Sequence, residues 1–249
     1  MTKSTAVHQL ALVREHGNGI LNAAQPDLTR PVPACPGWDL RRLVSHVAKI
    51  LHQTIGHLPR GETTPPARLP PAPTSDTALL DYYAEGLAGA LLILDAVDPD
   101  LPAWNAWSHT EQIAGFWRRR LAQEMTVHHW DAEQAWGRTL TIPPPVAADG
   151  VDEALHVFLP RTRRLASEAG TRLPDGSVHL HLVDTDGEWL VRFAGPDTEV
   201  TLGHEKGDAV LRGEAQAVLL TLWGRQDASG PGTETMGDPD LVWALRAER

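Results

Sequence analysis

The stretch "TLTIPPPVAADG", residues 139–150, constrains this chain most, because the hydrophobic period changes across it. Before it, apolar residues recur at helical spacing; after it, short runs alternate as strands do. A single bundle or a single sheet cannot satisfy both patterns, so two units are expected, one of helices and one of mixed elements. The charge balance shifts at the same place. Residues 1–145 carry 12 basic and 14 acidic side chains, whereas residues 146–249 carry 10 and 18. Three prolines in a row fit a linker. We read domains at 1–142 and 146–249, and 249 residues suffice for two modest cores.

Four helical patterns precede the boundary. The first spans about 4–24, with Val7, Leu10, Ala11 and Leu21 recurring at helical spacing. Asp39 is placed to cap a second over about 40–56. The proline-rich "HLPRGETTPPARLPPAPTSD" reads as an extended surface crossing. A third helix covers about 77–97, and a fourth about 111–136, stopped at Gly137. Four helices with one long connection predict a four-helix bundle.

Beyond the boundary one more helix, about 151–168, precedes "SVHLHLVDTDGEWLVRF", two alternating runs joined by an Asp-Gly turn signal. "TEVTLGHEKGDAVLRG" repeats the hairpin pattern, and two closing helices follow. The expected fold class is therefore a four-helix bundle followed by a smaller α+β domain with an antiparallel sheet.

A formal net charge of −10 argues against a nucleic-acid partner held by the overall field. No run of about 18 or more apolar residues suggests a membrane span. The N-terminal stretch lacks a signal-peptide core, because His8, Gln9, Arg14 and Glu15 interrupt it. The one cysteine, Cys35, excludes an internal disulfide and fits a reducing compartment. A cytoplasmic protein is expected.

The fourth helix carries unusual chemistry. At a period of 3.6, Trp117, Leu121, Glu124, His128, Asp131 and Ala135 share one stripe. A bundle-facing stripe that turns from Trp and Leu to Glu, His and Asp needs a cation or strong donors to meet its carboxylates. Glu124 and His128, four apart, can reach one point. A third ligand would come from another inward face, and His46 lies between Leu43, Val47 and Ile50 on the second helix. Two histidines and a carboxylate with an open position suit catalytic zinc. Asp131 could hold a ligand imidazole's second nitrogen. The same pattern would arise if Arg120 simply paired with Glu124 and His46 were a core histidine bonded to a carbonyl. His129 points elsewhere and is read as solvated.

"VPACPGWDLRRLVSHVA" and "RRRLAQEMTVHHWDAEQAWG" closely resemble the two signature segments of the mycothiol-dependent maleylpyruvate isomerase family. "AADGVDEAL", "GEWLVRF" and "AVLLTLWGR" resemble its C-terminal segments, so the likeness covers almost the whole chain. The resemblance implies a DinB-like metal-binding bundle and a sterol-carrier-like second domain. It carries the family's ligands onto His46, Glu124 and His128. It also implies a divalent metal, zinc by preference, with mycothiol as thiol cosubstrate acting on a small electrophile. Gln123, where many relatives have histidine, departs from the pattern and bears on substrate more than on metal.

That reading is an isomerase working by thiolate addition and elimination, or a related S-transferase. A metal hydrolase using bound water and a non-catalytic metal- or ligand-binding regulatory module are the alternatives. Arg225 resembles a family position where arginine serves catalysis, as a carboxylate clamp; a helix-end cation is the plainer reading. Of Arg118, Arg119 and Arg120, most are expected at the surface. Cys35 reads as a packing residue. Trp104 and Trp107 are candidates for a pocket mouth. His179 and His181 share a strand face, but nothing near them supplies an obvious third ligand, and their strand reads as a half-solvated sheet edge.

Overall fold

The computed structural model of the protein describes residues 3–247, with side chains from His8 onward. The chain divides into two compact units after Leu140.

The first unit holds α1 (Lys3–Ala24), α2 (Leu40–His57), α3 (Asp76–Ala96) and α4 (Ala114–Gln134). α1 packs on α4 and α3, and α2 on α3 and α4. α2 starts as its sequence predicts: Asp39 is extended and its carboxylate accepts a hydrogen bond from the Arg42 amide at 2.8 Å. The proline-rich crossing after residue 60 forms no helix or strand until α3 begins. Arg41 ties its far end, donating to the Thr74 carbonyl at 2.9 Å and pairing with Asp76.

Two expectations for this bundle fail. Val7 lies outside the described side chains, and the buried face of α1 is not that of Leu10, Ala11 and Leu21 but that of Leu12, Val13, His16, Ile20 and Ala23. A buried histidine and the buried Gln9 interrupt the apolar stripe, which hides it from a hydrophobic reading. The arginine run of α4 is also mostly interior. Arg118 is buried and donates to the Leu94 and Val97 carbonyls, each at 2.8 Å, satisfying the open end of α3. Arg120 is buried against Glu124. α4 is enclosed on nearly every side, and a fully enclosed helix can keep its charges only by pairing them.

α3 is long and apolar enough to cross a membrane by length and composition. Here its Leu79, Tyr83, Leu87, Ala90 and Leu94 face the bundle, while Asp81, Glu85 and Asp95 stay exposed.

The second unit opens with α5 (Pro144–Glu153), a π-helical turn (Ala154–Phe158) and α6 (Leu159–Glu168). The helix expected from about residue 151 starts earlier, because a boundary proline sits in its first turn, where no amide hydrogen is needed. The π turn falls just before Pro160, which has no N–H to continue the ladder.

The sheet comprises β1 (Gly176–Leu182), β2 (Glu188–Ala194), β3 (Asp197–Leu202), β4 (Ala209–Gly213) and β5 (Thr233–Gly237), in the order β3-β2-β1-β4-β5. β1 and β2 form the expected antiparallel hairpin. β3 and β4 do not form the second one. β3 pairs with β2, and β4 crosses to lie parallel to β1, with Val178 opposite Ala209. The sheet is mostly antiparallel with one parallel pair. Gly207 permits the crossing: a Cβ there would stand 2.7 Å from the His179 amide nitrogen. β1 is therefore the central strand, not an edge. Val178, Leu180, Trp189, Val191, Phe193 and Leu211 are buried on the sheet, and α7 (Ala215–Leu222) and α8 (Pro239–Trp243) pack against its strands. β5 had no sequence signal, since none of its residues is buried.

Candidate metal centre

Three helical positions converge inside the bundle. Glu124 and His128 stand one turn apart on α4, and His46 reaches them from α2. His46 Nε2 lies 3.0 Å from Glu124 Oε1, and His128 Nε2 lies 3.2 Å from the same oxygen. One ligand atom from each residue can be chosen so that all lie within 4.8 Å of one another. Glu124 and His128 are buried, whereas the His46 side chain is 40% exposed, which leaves the cluster one open side.

The surrounding residues fix these atoms. Arg120 Nη2 holds the second Glu124 oxygen at 2.5 Å, so the carboxylate offers one free oxygen to the histidines. His128 Nδ1 meets Asp131 Oδ2 at 2.9 Å, which directs Nε2 toward Glu124. Asp131 is fully buried and also accepts from Cys35 Sγ at 3.5 Å. Cys35 is thus a buried neighbour of the cluster, as a packing role predicts, with an added hydrogen bond.

Trp38 covers one flank. Its ring lies nearly parallel to His128, centroids 6.3 Å apart, and edge-on to His46 at 5.1 Å. Gly37 makes this possible: its φ of 77° belongs to the left-handed region, which lets the "PGW" turn bring Trp38 back toward α2. The Trp38 contact was not legible from helical spacing. The Arg42 guanidinium lies over the Trp38 ring, 5.0 Å from its centroid. A cavity of about 500 Å³ opens beside His46, lined among others by Trp38, Arg41, Arg42, Ser45 and Lys49.

Burial pushes the Glu124 carboxyl up, but the charges of His128 and Arg120 and the hydrogen bonds of both histidines outweigh it and hold it well below the usual range. Burial likewise pushes His128 down, and Glu124 and Asp131 together bring it up to about 9. The cluster is a place that stabilises positive charge between two imidazoles. Two imidazole nitrogens and one carboxylate oxygen, with the other carboxylate oxygen and the other ring nitrogen of His128 already held, fit a divalent transition ion.

A sequence model described as the mycothiol maleylpyruvate isomerase N-terminal domain matches residues 11–133, and one described as the MDMPI C-terminal domain matches residues 145–243. The chain belongs to the mycothiol-dependent maleylpyruvate isomerase family. Its fold resembles the crystal structure of the mycothiol-dependent maleylpyruvate isomerase, with a TM-score of 0.61 and 16% identity, covering 94% of this chain and 95% of that one. A histidine-to-alanine mutant of the enzyme matches at a TM-score of 0.62, with the same identity and coverage. No curated protein sequence matches significantly.

Other residues singled out in the sequence fall differently within this family member. His129 is not solvated; its side chain is only 13% exposed, and its Nδ1 meets His16 Nδ1 at 3.0 Å. Trp104 and Trp107 pack inward in the loop before α4, Trp104 with its ring toward His57 and its carbonyl on the Trp117 indole N–H, Trp107 against Phe116. Gln123, the departure from the family pattern, is buried beside Glu124. Arg225 follows α7, where its amide bonds the Leu220 carbonyl at 2.8 Å and its Nη1 donates to the Trp223 carbonyl at 2.7 Å. That contact matches the plainer, helix-end reading of Arg225 rather than the clamp.

Proposed function

We propose that this chain is a metal-dependent enzyme that uses mycothiol, either as an isomerase of the maleylpyruvate type or as a thiol S-transferase acting on a small electrophile. The observation that carries the proposal is the convergence of His46 and His128 on one oxygen of Glu124, with that oxygen's twin occupied by Arg120. In this reading His46, Glu124 and His128 hold the ion, zinc by preference. Bound there, it would lower the thiol's pKa so that a nucleophilic thiolate forms near neutral pH.

The chain's own residues do the rest. Asp131 keeps His128 in one orientation, and Arg120 limits Glu124 to one oxygen, so the three residues would hold an ion by one atom each, and the exposed side of the cluster is that of His46. Two neutral imidazoles and one carboxylate leave a dication with net positive charge, which favours an anionic sulfur. Trp38 shields one flank from water. Arg42 and Lys49, with Arg41 paired to Asp76, outnumber Asp39 on the wall of the adjoining cavity, which suits carboxylates on a substrate that must approach an acidic protein. In the second unit, Arg225 carries the carboxylate-clamp role that the family resemblance implies.

For isomerisation, the thiolate sulfur adds to the activated cis double bond, the new single bond rotates, and elimination of the same thiolate returns the trans alkene. For transfer, the sulfur stays on carbon and a leaving group or opened epoxide takes the electron pair. A cytoplasmic setting, where small thiols stay reduced, goes with either reaction.

The test is an assay of zinc-reconstituted protein with maleylpyruvate, with and without mycothiol. Expected is cis-to-trans conversion that requires the thiol and returns it, lost together with bound metal in His128→Ala. Thioether accumulation with another electrophile and no isomerisation would select the transferase. Equal turnover without thiol, or full turnover in metal-free His128→Ala, would overturn the reading.

A further inference from the structure

A second group of metal-ligating side chains lies in the other unit. β1 is the central strand, and His179 and His181, two apart, project from the same face of it. Glu188 on β2 stands directly opposite His181. His204 comes from the loop between β3 and β4, the segment that Gly207 allows to pass close over the His179 backbone. The third and fourth donors that the local sequence around His179 did not supply are delivered by strand register and by this crossing.

The four side chains are already gathered. His181 Nδ1 bonds Glu188 Oε1, and His204 Nδ1 lies 3.2 Å from the other Glu188 oxygen. The rings of His179 and His204 have centroids 5.0 Å apart, and those of His179 and His181 6.0 Å apart. One ligand atom from each of the four can be chosen so that all lie within 4.8 Å of one another. His179 supplies the decisive observation. It is only 7% exposed, and its Nε2 is buried with no hydrogen-bond partner. A buried ring nitrogen left unpaired costs stability, so a native site that keeps one calls for an explanation.

We propose that His179, His181, Glu188 and His204 form a second metal site, separate from the bundle centre, for zinc or a similar divalent transition ion. Three imidazole nitrogens and one carboxylate oxygen are a donor set for such an ion rather than for calcium or magnesium, which take oxygen ligands. Bonds of about 2.0 Å in a tetrahedron place ligand atoms about 3.3 Å apart, so modest side-chain rotations close the present spacing. His204, on an exposed loop, has the freedom to make the largest of them. Four protein ligands leave no position for a substrate, so the site is structural: a clasp joining β1, β2 and the β3–β4 loop. It supplies the missing partner of His179 Nε2.

The test uses the full chain, stripped of metal, with zinc binding followed by calorimetry and cobalt binding by visible absorption. In a His46→Ala/His128→Ala background the bundle centre is removed, and one zinc per chain should remain, with a tetrahedral cobalt spectrum. Adding His204→Gln, a change at an exposed side chain, should weaken that binding by at least about 100-fold. His181→Gln should do the same. No zinc in the double-alanine background, or zinc binding indifferent to both glutamine substitutions, would overturn the proposal. If the background does not fold, the otherwise wild-type chain gives the same answer: two zinc ions per chain, reduced to one by His204→Gln, against no change.

Discussion

Asp131 Oδ2 sits 2.9 Å from His128 Nδ1 and accepts a hydrogen bond from the Cys35 thiol through the same oxygen, so one fully buried carboxylate fixes both the imidazole and the loop before α2. Removing its charge while keeping its shape isolates the first role. Asp131→Asn should weaken zinc affinity roughly 10- to 100-fold, read by competition with a chromophoric chelator. Unaltered affinity would mean that His128 needs no such support.

Cys35 is the chain's one thiol, and its position tempts a nucleophile reading. Its sulfur is buried and bonded to Asp131, and the proposed chemistry brings its sulfur from outside. Cys35→Ala should therefore retain mycothiol-dependent turnover while losing on the order of 1 kcal/mol of stability with the hydrogen bond. Abolished turnover in a folded, metal-loaded variant would restore the nucleophile.

Arg120 and Glu124 are a buried ion pair, and removing the guanidinium takes away the cation on one Glu124 oxygen while the two histidines keep the other. Arg120→Met should cost the metal-free protein roughly 3 kcal/mol in urea unfolding. The loss should shrink when zinc is present, because the ion then offsets the Glu124 charge. An equal loss in both states would mean that the two cations do not share that carboxylate.

His16 and His129 face each other inside the bundle. Burial, then the charge of His129, push His16 down to about 4, against a smaller opposing pull from Glu15. A histidine depressed in the folded state binds its proton more readily when unfolded, so the fold loses stability as pH falls from about 6.5 through 4. The loss is at most about 3 kcal/mol and is absent above the unfolded value. His16→Leu should flatten that part of the stability–pH curve. The measurement is urea midpoints at several pH values for both proteins, and identical slopes would refute the assignment.

Much of the bundle centre could be read from spacing alone, because the helical period decides which side chains share a stripe; α2 has one clear buried face, while α4 is buried nearly all round and shows only where its polar residues line up. Glu124 pairing with Arg120 and Glu124 meeting two histidines were rival readings in the sequence. The structure has both, one on each carboxylate oxygen, since a carboxylate has two sides and sequence spacing does not assign them. What spacing could not give depends on approach from outside the helix. Trp38 arrives through a left-handed glycine, His16 sits on a stripe that hydrophobicity disguises, and Arg118 looks like surface charge until the end of α3 is beside it. The sheet misled for another reason. Alternation marks strands but not partners, so a hairpin pattern over β3 and β4 was indistinguishable from two strands that part company at Gly207.

The parallel pairing of β4 with β1 has a consequence for how the second unit assembles. β1, β2 and β3 form a meander of neighbours joined by short turns, and such contacts close early and quickly. β4 and β5 dock on the far side of β1, so until they arrive the central strand carries an unpaired edge. His179, His181 and Glu188 are all in the early meander, and His204 follows it directly. Three of the four proposed ligands therefore sit on neighbouring strands of the meander and the fourth on the segment that leads out of it, so the clasp ties the meander to the start of the crossing.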